Sequence, residues 1–532
     1  MPSSGLSDSS TSWRSPYNVH QLSQRLDYPL ALLSGILLAL SFPPHGHPAF
    51  GWIALTPLLV ALLGQPKALG LLRPFTLGLV AGIVYFTGTV SWTGATVRTF
   101  GGLNLPLSVF VAALLIVYLA LFPALFALVV AWFVGRLGRR AIWLAPAVWV
   151  TSELGRTYFW SGFPWLLLGY SQTTALSVAQ TASLVGVFGL SGLVAWVSTG
   201  LAYVAAGTRG GRLGAREWAA AGMPVGLVIV LAAWGVVRMG ADELSRSGRP
   251  LAVALVQGNV PQVEKWDPLR ADDILNRYLD MTRDAAARGA RLVLWPETAT
   301  PFYFEDDPTG GERVRQLVRQ TGIRLLFGSD QYEPGATPRY YNAAFMLDSS
   351  GETVAVYRKM QLVPFGEYVP LKSLLFFAEP LVESVSDFTP GTAVVLLPVD
   401  GALVSTAICY EIVYPALVRR AVQAGSQLLT TITNDAWYGD SAAPYQHFVQ
   451  ASMRAIEQGR YLARAANTGI SGIVDPYGRV LARSRLFETT VVTGDVRLLS
   501  GLTVYGRIGD VLAYACAALT LAAGLAAWRR RT

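Results

Sequence analysis

The chain has 532 residues and a formal net charge of +8, and it is 52% hydrophobic with only 14% charged residues. This composition excludes an ordinary soluble protein and is typical of an integral membrane protein. The positive charge does not indicate nucleic-acid binding, because much of it lies in short arginine clusters beside apolar segments, as orientation signals do. The apolar residues are concentrated in 28–238 and 507–528, whereas 239–505 has the composition of a soluble domain.

Eight apolar segments come close to the roughly 20 residues that a helix needs to cross a bilayer. They are Tyr28–Phe42, Phe50–Leu63, Phe75–Trp92, Leu105–Val134, Ile142–Leu154, Ala175–Ala206, Trp218–Val237 and Val511–Trp528. The first two flank "SFPPHGHP", where Pro43 and Pro44 break any helix, so they form either two spans or a re-entrant hairpin. We therefore predict a bundle of seven spans over 28–238 and an eighth span over 507–528.

Lysine and arginine residues flank these segments unequally. One set of short loops holds Arg98 and Arg156. The alternating set, with both chain ends, holds thirteen such residues: Arg14, Arg25, Lys67, Arg73, Arg136, Arg139, Arg140, Arg209, Arg212, Arg216, Arg529, Arg530 and Arg531. The positive-inside rule places the richer set in the cytoplasm. We therefore predict a disordered cytoplasmic tail over 1–27, a cytoplasmic C-terminus over 529–532 and an outward-facing domain over 239–505.

The segment "GRTYFWSGFPWLLLGY", Gly155 to Tyr170, concentrates aromatic residues on the predicted outward side. Such a segment is typical of the aromatic belt at headgroup depth. It also fits a lipid-access rim beneath the outward domain, and the sequence leaves both interpretations open.

The outward domain alternates short β-branched runs with amphipathic helical patterns, which indicates a layered α/β fold. The predicted strands are Leu251–Gln257, Arg291–Trp295, Arg324–Gly328, Val394–Leu397, Leu403–Cys409 and Gln427–Thr433, with a hairpin around Asp348–Glu352. The predicted helices are Ala271–Arg288, Gly311–Gln320, Val413–Ala424 and Ala443–Ala465. Three strands end in chemically capable residues, in "WPET", "AICYE" and "TNDAWYGD", and layered α/β folds build their sites at strand ends.

The chain contains two cysteines. Cys516 lies in the last apolar segment, and we interpret it as a small buried apolar residue. Cys409 follows a buried strand in a domain that faces an oxidising compartment, where an unpaired thiol is a candidate reactive group. Among the four histidines, His447 is a possible base for this thiol, although its position near the start of a helix favours a structural role.

Carboxylate and lysine side chains offer a second way to activate the thiol. Glu297 follows an apolar strand in "WPET", and "YRKMQLVPFGEYVP" contains Lys359 and Glu367. A carboxylate in apolar surroundings has a raised pKa and accepts a thiol proton near neutral pH. A neighbouring ammonium favours the thiolate and stabilises an oxyanion.

In this order, "LVLWPET", "YRKMQLVPFGEYVP" and "AICYE" resemble the Glu-Lys-Cys triad of the nitrilase, or carbon-nitrogen hydrolase, superfamily. "TNDAWYG" resembles its substrate-pocket segment. "QGNVPQVEKWD", Gln257 to Asp267, and "RAANTGISGIVDPYGRV", Arg464 to Val480, are similar to the opening and closing segments of one membrane-bound branch, the bacterial apolipoprotein N-acyltransferases. The resemblance covers roughly residues 25–530.

The resemblance implies a polytopic α-helical bundle of about eight spans in the bacterial inner membrane, with an α-β-β-α sandwich in the periplasm. It implies that Glu297 is the general base, Cys409 the nucleophile and Lys359 the group that holds the oxyanion. It also implies supporting or substrate-binding roles for a second set of residues, namely Glu367, Tyr410, Glu411 and Trp266.

The implied reaction is a two-step ping-pong transfer. An acyl chain passes from a membrane phospholipid to Cys409 as a thioester, and then to the α-amine of the N-terminal diacylglyceryl-cysteine of apolipoproteins. The branch uses no metal or organic cofactor and no nucleic acid. The arms "QGNVPQVEKWDP" and "VPFGEYVPLKSLLFFAEPLVE" are candidate membrane-dipping lids, although "LLFFA" is equally compatible with a core segment.

Two other functions fit parts of the sequence. A membrane-tethered amidase or nitrilase would use the same three residues on a small soluble substrate, but one anchor would suffice for it. A transporter or sensor would bind a ligand in the outward domain without chemistry, but the spans contain few charges that could form an ion pathway.

Overall fold

The computed structural model describes residues 16–64, 70–207, 213–368 and 387–530, with 16–25 described through their backbone alone. Helices dominate the first half of the chain. In order they are α1 (Pro16–Ala39), α2 (Pro48–Ala54), α3 (Thr56–Leu63), α4 (Leu72–Val90), α5 (Trp92–Phe100), α6 (Leu105–Leu137), α7 (Ala145–Tyr158), α8 (Leu176–Ala179), α9 (Ala182–Gly207), α10 (Ala215–Ala241) and α11 (Glu243–Arg246). The later helices are α12 (Ala271–Ala287), α13 (Pro308–Thr321), α14 (Pro415–Gln423), α15 (Ala443–Gln458), α16 (Val504–Ile508) and α17 (Val511–Arg529).

Judged by their length and composition, fewer than eight of the described helices can cross a membrane. Within the described ranges, four helical segments are long and apolar enough to cross a membrane: α6, α9, α10 with α11, and α17. Helices α4 and α5 meet at a bend of 52° and make a fifth span if they are counted together. The apolar helices over Leu26–Ala39 and Pro48–Leu63 are shorter, and Ile142–Leu154 contributes to α7, which has 14 residues. The protein is therefore a membrane protein with four or five spans by this measure.

Helix α1 begins earlier than the sequence suggests. It starts at Pro16, within the range predicted as a disordered tail, and residues 1–15 lie outside the described part of the chain. The lid segment "LLFFA" also lies outside it, within 369–386.

Helix α9 is broken near its start at Gly186. This glycine has φ 68° and ψ 179°, a conformation that is essentially restricted to glycine. A Cβ atom there would clash with the ring of Tyr505. The backbone N–H of Val187, which follows the break, donates to Glu457 Oε1 on α15 at 2.8 Å. A side chain of the soluble domain thus supplies a hydrogen-bond acceptor to the start of the helical segment after Gly186.

Two six-stranded sheets form the soluble domain in the described residues. Their strands are β1 (Arg249–Gln257), β2 (Leu292–Leu294), β3 (Arg324–Glu333), β4 (Arg339–Leu347), β5 (Thr353–Arg358), β6 (Leu397–Val399), β7 (Ala402–Ile408), β8 (Leu429–Thr433), β9 (Leu462–Ala466), β10 (Gly472–Val474), β11 (Val480–Arg483) and β12 (Thr490–Leu498). The strand orders are β12-β1-β2-β3-β4-β5 and β11-β10-β9-β8-β7-β6. Strands β1–β3 are parallel in the first sheet, as are β7–β9 in the second.

Apolar side chains of both sheets face each other and form a common core. Leu255, Leu294 and Leu326 from the first sheet lie in one buried cluster with Ile408 and Ile432 from the second. Helices α12 and α13 cover the other face of the first sheet. Helices α14 and α15 cover the second sheet and share a buried cluster with the membrane bundle. The α-β-β-α sandwich is confirmed, and one of its outer layers is packed against the bundle.

The strands and helices predicted for this domain are present at the predicted places, but some of them begin or end at other residues. The hairpin around Asp348–Glu352 is present between β4 and β5. The predicted helix Ala443–Ala465 is wrong at its end, because Gly459 adopts a left-handed conformation with φ 60° and closes α15, and β9 follows. The predicted strand Val394–Leu397 lies three residues later, as β6.

Candidate active site

The three side chains predicted to carry the chemistry each follow a strand. Glu297 comes after β2, Lys359 directly after β5, and Cys409 directly after β7. Their residues are 6%, 1% and 5% exposed. The two facing sheets therefore bring a carboxyl, an ammonium and a thiol into one buried cluster.

Glu297 is held by three partners. Its Oε1 atom accepts hydrogen bonds from Asn342 Nδ2 at 2.7 Å and from Lys359 Nζ at 3.2 Å. Its Oε2 atom accepts from the backbone N–H of Asn434 at 2.9 Å. Burial works to raise the pKa of Glu297, but the charge of Lys359 and these hydrogen bonds outweigh it and lower the pKa. The raised pKa expected from apolar surroundings is therefore wrong for Glu297, and its carboxyl is an ionised, oriented proton acceptor.

Glu367 completes a four-membered polar network. Its Oε1 atom accepts from Lys359 Nζ and from Asn342 Nδ2, both at 2.8 Å, and its Oε2 atom accepts from Val363 N at 2.8 Å. Burial would lower the pKa of Lys359, but the two carboxylates raise it above its ordinary value. Lys359 therefore stays charged while it bridges Glu297 and Glu367.

Cys409 begins a tight turn in a left-handed backbone conformation, with φ 52°. This conformation is costly for a residue with a side chain and is typical of functional positions. Burial and the charge of Glu297 raise the pKa of the Cys409 thiol well above its usual range. The resting thiol is therefore protonated and needs a base to become a nucleophile.

His447 does not hydrogen-bond the thiol. Its Nε2 atom lies 3.1 Å from the carbonyl oxygen of Cys409, and its Nδ1 atom lies 3.1 Å from both Asp435 Oδ1 and Arg464 Nη2. Burial and the charge of Arg464 lower the pKa of His447, so the ring is neutral at neutral pH. A neutral ring that accepts from Arg464 donates through Nε2 to the Cys409 carbonyl, which makes His447 a support of the turn.

Glu411 ties the nucleophile turn to the lysine loop. It is fully buried, and its Oε1 atom accepts from Tyr357 Oη at 2.8 Å and from two backbone N–H groups, of Met360 at 2.7 Å and Gln361 at 3.1 Å. Its Oε2 atom accepts from Ile408 N at 2.7 Å. One carboxylate thus fixes the residue before Cys409 and the residue after Lys359.

Tyr410 joins the same turn to the membrane bundle. Its ring lies 6.3 Å from that of Trp165, with an angle of 19° between the planes. Within the aromatic segment predicted from the sequence, Trp165 is buried, whereas Phe159 and Trp160 are 62% and 64% exposed. The exposed rings fit an aromatic belt, and the buried part contacts the site.

The pocket segment "TNDAWYG" also contacts the bundle. The carbonyl oxygen of Trp437 accepts a hydrogen bond from Thr96 Oγ1 at 3.0 Å, and the ring of Tyr438 lies 4.9 Å from that of Trp92. Both partners belong to α5, the bent continuation of α4. The site therefore adjoins the membrane part of the protein.

Trp266 lies apart from the buried cluster and is 45% exposed. Its neighbour Lys265 is 3% exposed, and its Nζ atom donates to the carbonyl oxygen of Glu297 at 3.0 Å. No motif or spacing distinguishes Lys265 from other loop lysines in the sequence. Asn342, by contrast, stands alone as a polar residue in the apolar run "YYNAAFML", and that signal could have been used.

Metal ligands are not grouped in this protein as far as the structure describes it. No three His, Cys, Asp or Glu side chains of the described ranges are placed to hold a metal ion.

Both halves of the chain match known families. Residues 252–500 match the carbon-nitrogen hydrolase family, and residues 34–200 match the apolipoprotein N-acyltransferase N-terminal domain. A Geobacter metallireducens protein named apolipoprotein N-acyltransferase is 40% identical over 517 residues, which cover 96% of each chain. A Methylococcus capsulatus protein of the same name is 36% identical over 497 residues, which cover 90% of this chain and 92% of the relative. An amidase of the nitrilase superfamily from Nesterenkonia matches with a TM-score of 0.39 and 23% identity over 51% of this chain and 97% of its own.

The two family matches and the two apolipoprotein N-acyltransferase relatives confirm the resemblance seen in the motifs. The matched residues cover the membrane bundle as well as the sandwich, so both parts of the chain are similar to the family and the helical half is not an unrelated anchor. The chain belongs to the apolipoprotein N-acyltransferase family, a family of membrane-bound acyltransferases with a carbon-nitrogen hydrolase domain.

Proposed function

We propose that the protein transfers an acyl chain from a membrane phospholipid to the α-amine of the diacylglyceryl-cysteine of apolipoproteins, through a thioester on Cys409. The observation that carries this proposal is the buried cluster of Glu297, Lys359 and Cys409 beside the membrane bundle. A lipid ester can approach such a cluster without leaving the bilayer.

In the first step Glu297 takes the proton from the thiol, and Sγ of Cys409 bonds to the ester carbonyl carbon of the phospholipid. Negative charge develops on the carbonyl oxygen, where Lys359 and the backbone N–H of Tyr410 donate hydrogen bonds. The bond from carbon to the glycerol oxygen then breaks. Glu297 returns its proton to that oxygen, and a lysophospholipid leaves.

In the second step the α-amine of the apolipoprotein attacks the thioester carbon. Glu297 takes a proton from the attacking nitrogen, the C–S bond breaks, and the Cys409 sulfur receives that proton. The product is an amide, and the thiol is restored. One carboxyl serves both steps because each step moves one proton onto it and one proton off it.

The roles of the surrounding residues follow from their contacts. Glu367 and Asn342 orient Lys359 and Glu297, and Glu411 sets the spacing between Cys409 and the lysine loop. Trp266, on the exposed loop, is assigned to contact with the bound lipids. Burial of the cluster keeps water from the thioester, which favours transfer over hydrolysis.

The proposed setting is the bacterial inner membrane, with the sandwich in the periplasm and both chain ends in the cytoplasm. The distribution of arginine and lysine supports this orientation. In this arrangement the short apolar helices over Leu26–Ala39 and Pro48–Leu63, together with α7, complete a bundle of about eight membrane segments. Diacyl phospholipids and lipid-modified apolipoproteins are the partners.

Intact-mass analysis of the detergent-purified protein tests the scheme. After incubation with phosphatidylethanolamine we expect a hydroxylamine-labile acyl adduct on Cys409 that is absent from Cys409→Ser and passes to a diacylglyceryl-cysteine peptide. Cys516→Ser is the matched control and should keep the adduct. An adduct lost to water but never to the peptide amine would favour a hydrolase, and no adduct with any phospholipid would overturn the proposal.

A further inference from the structure

A second buried ammonium lies beside the cluster. Lys265 belongs to the loop between β1 and α12, and this loop exposes Val263, Trp266 and Leu269, which are 79%, 45% and 88% exposed. Lys265 points the other way and is 3% exposed. Its loop therefore presents apolar side chains outward and one cation inward.

The surroundings of Lys265 come from several elements of the site. Its Nζ atom donates to the carbonyl oxygen of Glu297 at 3.0 Å. The carboxylates of Glu297 and Asp330 act on its charge, and so does the sulfur of Cys409 once it is ionised. Asp330 lies on β3 opposite Asn342, and it accepts a hydrogen bond from Thr298 at 3.2 Å.

The ammonium of Lys265 has more N–H donors than it has hydrogen-bond acceptors among the described residues. An ammonium carries three N–H donors, and among the described residues the Glu297 carbonyl is the one hydrogen-bond partner of Nζ. A buried cation with open donors next to a base and a nucleophile is costly for stability alone. Such an arrangement is expected where the charge itself serves the reaction.

We propose that Lys265 is a positioning residue whose positive charge, together with that of Lys359, keeps Glu297 ionised as a base and stabilises the Cys409 thiolate as it forms. This inference rests on the proposed thioester mechanism. Lys359 reaches the Glu297 carboxylate, whereas Lys265 reaches its backbone, so the two cations act from different sides of the same residue. The loop that carries Trp266 thus also sets the electrostatics of the base.

The two ammonium groups differ in how they titrate. Burial lowers the pKa of Lys265 to about 8, although the charges of Glu297 and Asp330 oppose the shift. Burial raises the pKa of Asp330 to about 7, against the charge of Lys265. The pKa of Lys359 is raised, and so is that of the Cys409 thiol, so neither changes its charge near pH 8. Lys265 is the group near Cys409 whose positive charge disappears there.

The test measures the first step alone, without an amine acceptor whose own titration would interfere. The rate of Cys409 acylation by phosphatidylethanolamine is followed with the full-length protein in detergent between pH 6 and 10. For the wild type we expect a fall of about tenfold with a midpoint near pH 8, because the supporting charge is lost as the ammonium deprotonates.

Three variants assign that fall to Lys265. Lys265→Met should be flat across this range at the low rate, and Lys265→Arg should be flat at the high rate, because a guanidinium stays charged. Asp330→Asn removes a negative neighbour that raises the pKa of Lys265, so its midpoint should move below that of the wild type. Asp330→Asn keeps the proposal testable if either substitution at Lys265 prevents folding.

The outcomes separate this inference from the proposed function. A wild type that forms no adduct overturns the thioester mechanism. A wild type that forms the adduct with no fall near pH 8, or a fall that persists in Lys265→Met, overturns the role of Lys265 alone. Variants that lose apparent thermal stability but keep the wild-type pH profile would mean that Lys265 is structural.

Discussion

Replacing Glu411 with glutamine should separate the nucleophile turn from the lysine loop. The carboxylate accepts four hydrogen bonds, from Tyr357, Met360, Gln361 and Ile408, and every donor is an N–H or O–H group. A glutamine side chain has one acceptor oxygen, and its NH₂ group can only donate. If the amide oxygen keeps the hydrogen bonds from Tyr357, Met360 and Gln361, the NH₂ group faces the backbone N–H of Ile408. Both groups are donors, so the N–H of Ile408 loses its acceptor.

The cost follows from these contacts. A buried N–H without a partner costs about 1–3 kcal/mol, and hydrogen bonds to a neutral acceptor are weaker than those to a charged one by about 1 kcal/mol each. We therefore expect a loss of about 4–6 kcal/mol, which lowers the apparent Tm by several degrees. Because the turn carries Cys409 and the loop carries Lys359, a shift of about 1 Å between them should slow acylation about 100-fold.

The assay is the rate of adduct formation on Cys409 together with thermal unfolding in the same detergent. Glu352→Gln is the matched control, because Glu352 is exposed in the β4–β5 turn and should keep the wild-type rate and apparent Tm. A Glu411→Gln protein with the wild-type rate would refute the reasoning, because it would mean that the two segments keep their spacing without the carboxylate.

Three further substitutions test other parts of the structure. His447→Gln should slow adduct formation about tenfold without moving the acid side of its pH profile, because His447 supports the Cys409 carbonyl and is not the base; loss of that acid limb would contradict this. Gly186→Ala should lower the apparent Tm through about 1–3 kcal/mol of backbone strain and a clash with a tyrosine ring, whereas Gly226→Ala, with open space around it, should not. Burial opposes ionisation of Asp435, but the charge of Arg464 and the hydrogen bond from Thr433 Oγ1 lower its pKa from 3.8 to about 2. This carboxylate therefore stabilises the fold by about 2 kcal/mol above pH 4 and loses that contribution as the pH falls toward 2. The deficit in apparent Tm of Asp435→Asn should accordingly be constant from pH 7 to 5 and shrink below about pH 4; an unchanged deficit at the lowest pH reached would refute it.

The strand-end pattern in the sequence points to Glu297 and Cys409, which follow predicted strands of a layered α/β fold. Lys359 joins them through the resemblance of three motifs to the nitrilase superfamily, and the structure shows that it also follows a strand, β5. Asn342 and Lys265 could not be found this way. They reach the site from the middle of β4 and from a loop, and only the packing of the two sheets brings them to Glu297.

The number of membrane spans was harder to read for a physical reason. Apolarity marks a residue as excluded from water, but it does not distinguish a helix that faces lipid from one that is buried in protein. Leu58, Leu59 and Leu62 in α3 are almost completely buried inside the bundle, in a helix of eight residues. The run Phe50–Leu63 thus has the composition of a span, but the chain breaks it at Leu55 and uses its apolar side chains for internal packing.

The contacts between bundle and sandwich give the membrane half a direct structural role at the candidate active site. Arg156, at the end of α7, is buried and donates to the carbonyl oxygen of Trp165 at 2.7 Å. Trp165 in turn donates through Nε1 to Gln446 on α15 at 2.7 Å and stacks on Tyr410, the residue after Cys409. Residues of the bundle therefore form one wall of the nucleophile turn. A soluble fragment cut before β1 would lose that wall, expose the apolar faces of α14 and α15 that share a core with the bundle, and leave the turn without its support on one side. For this reason the membrane helices cannot be regarded as a mere anchor: the turn that carries Cys409 is built from both halves of the chain.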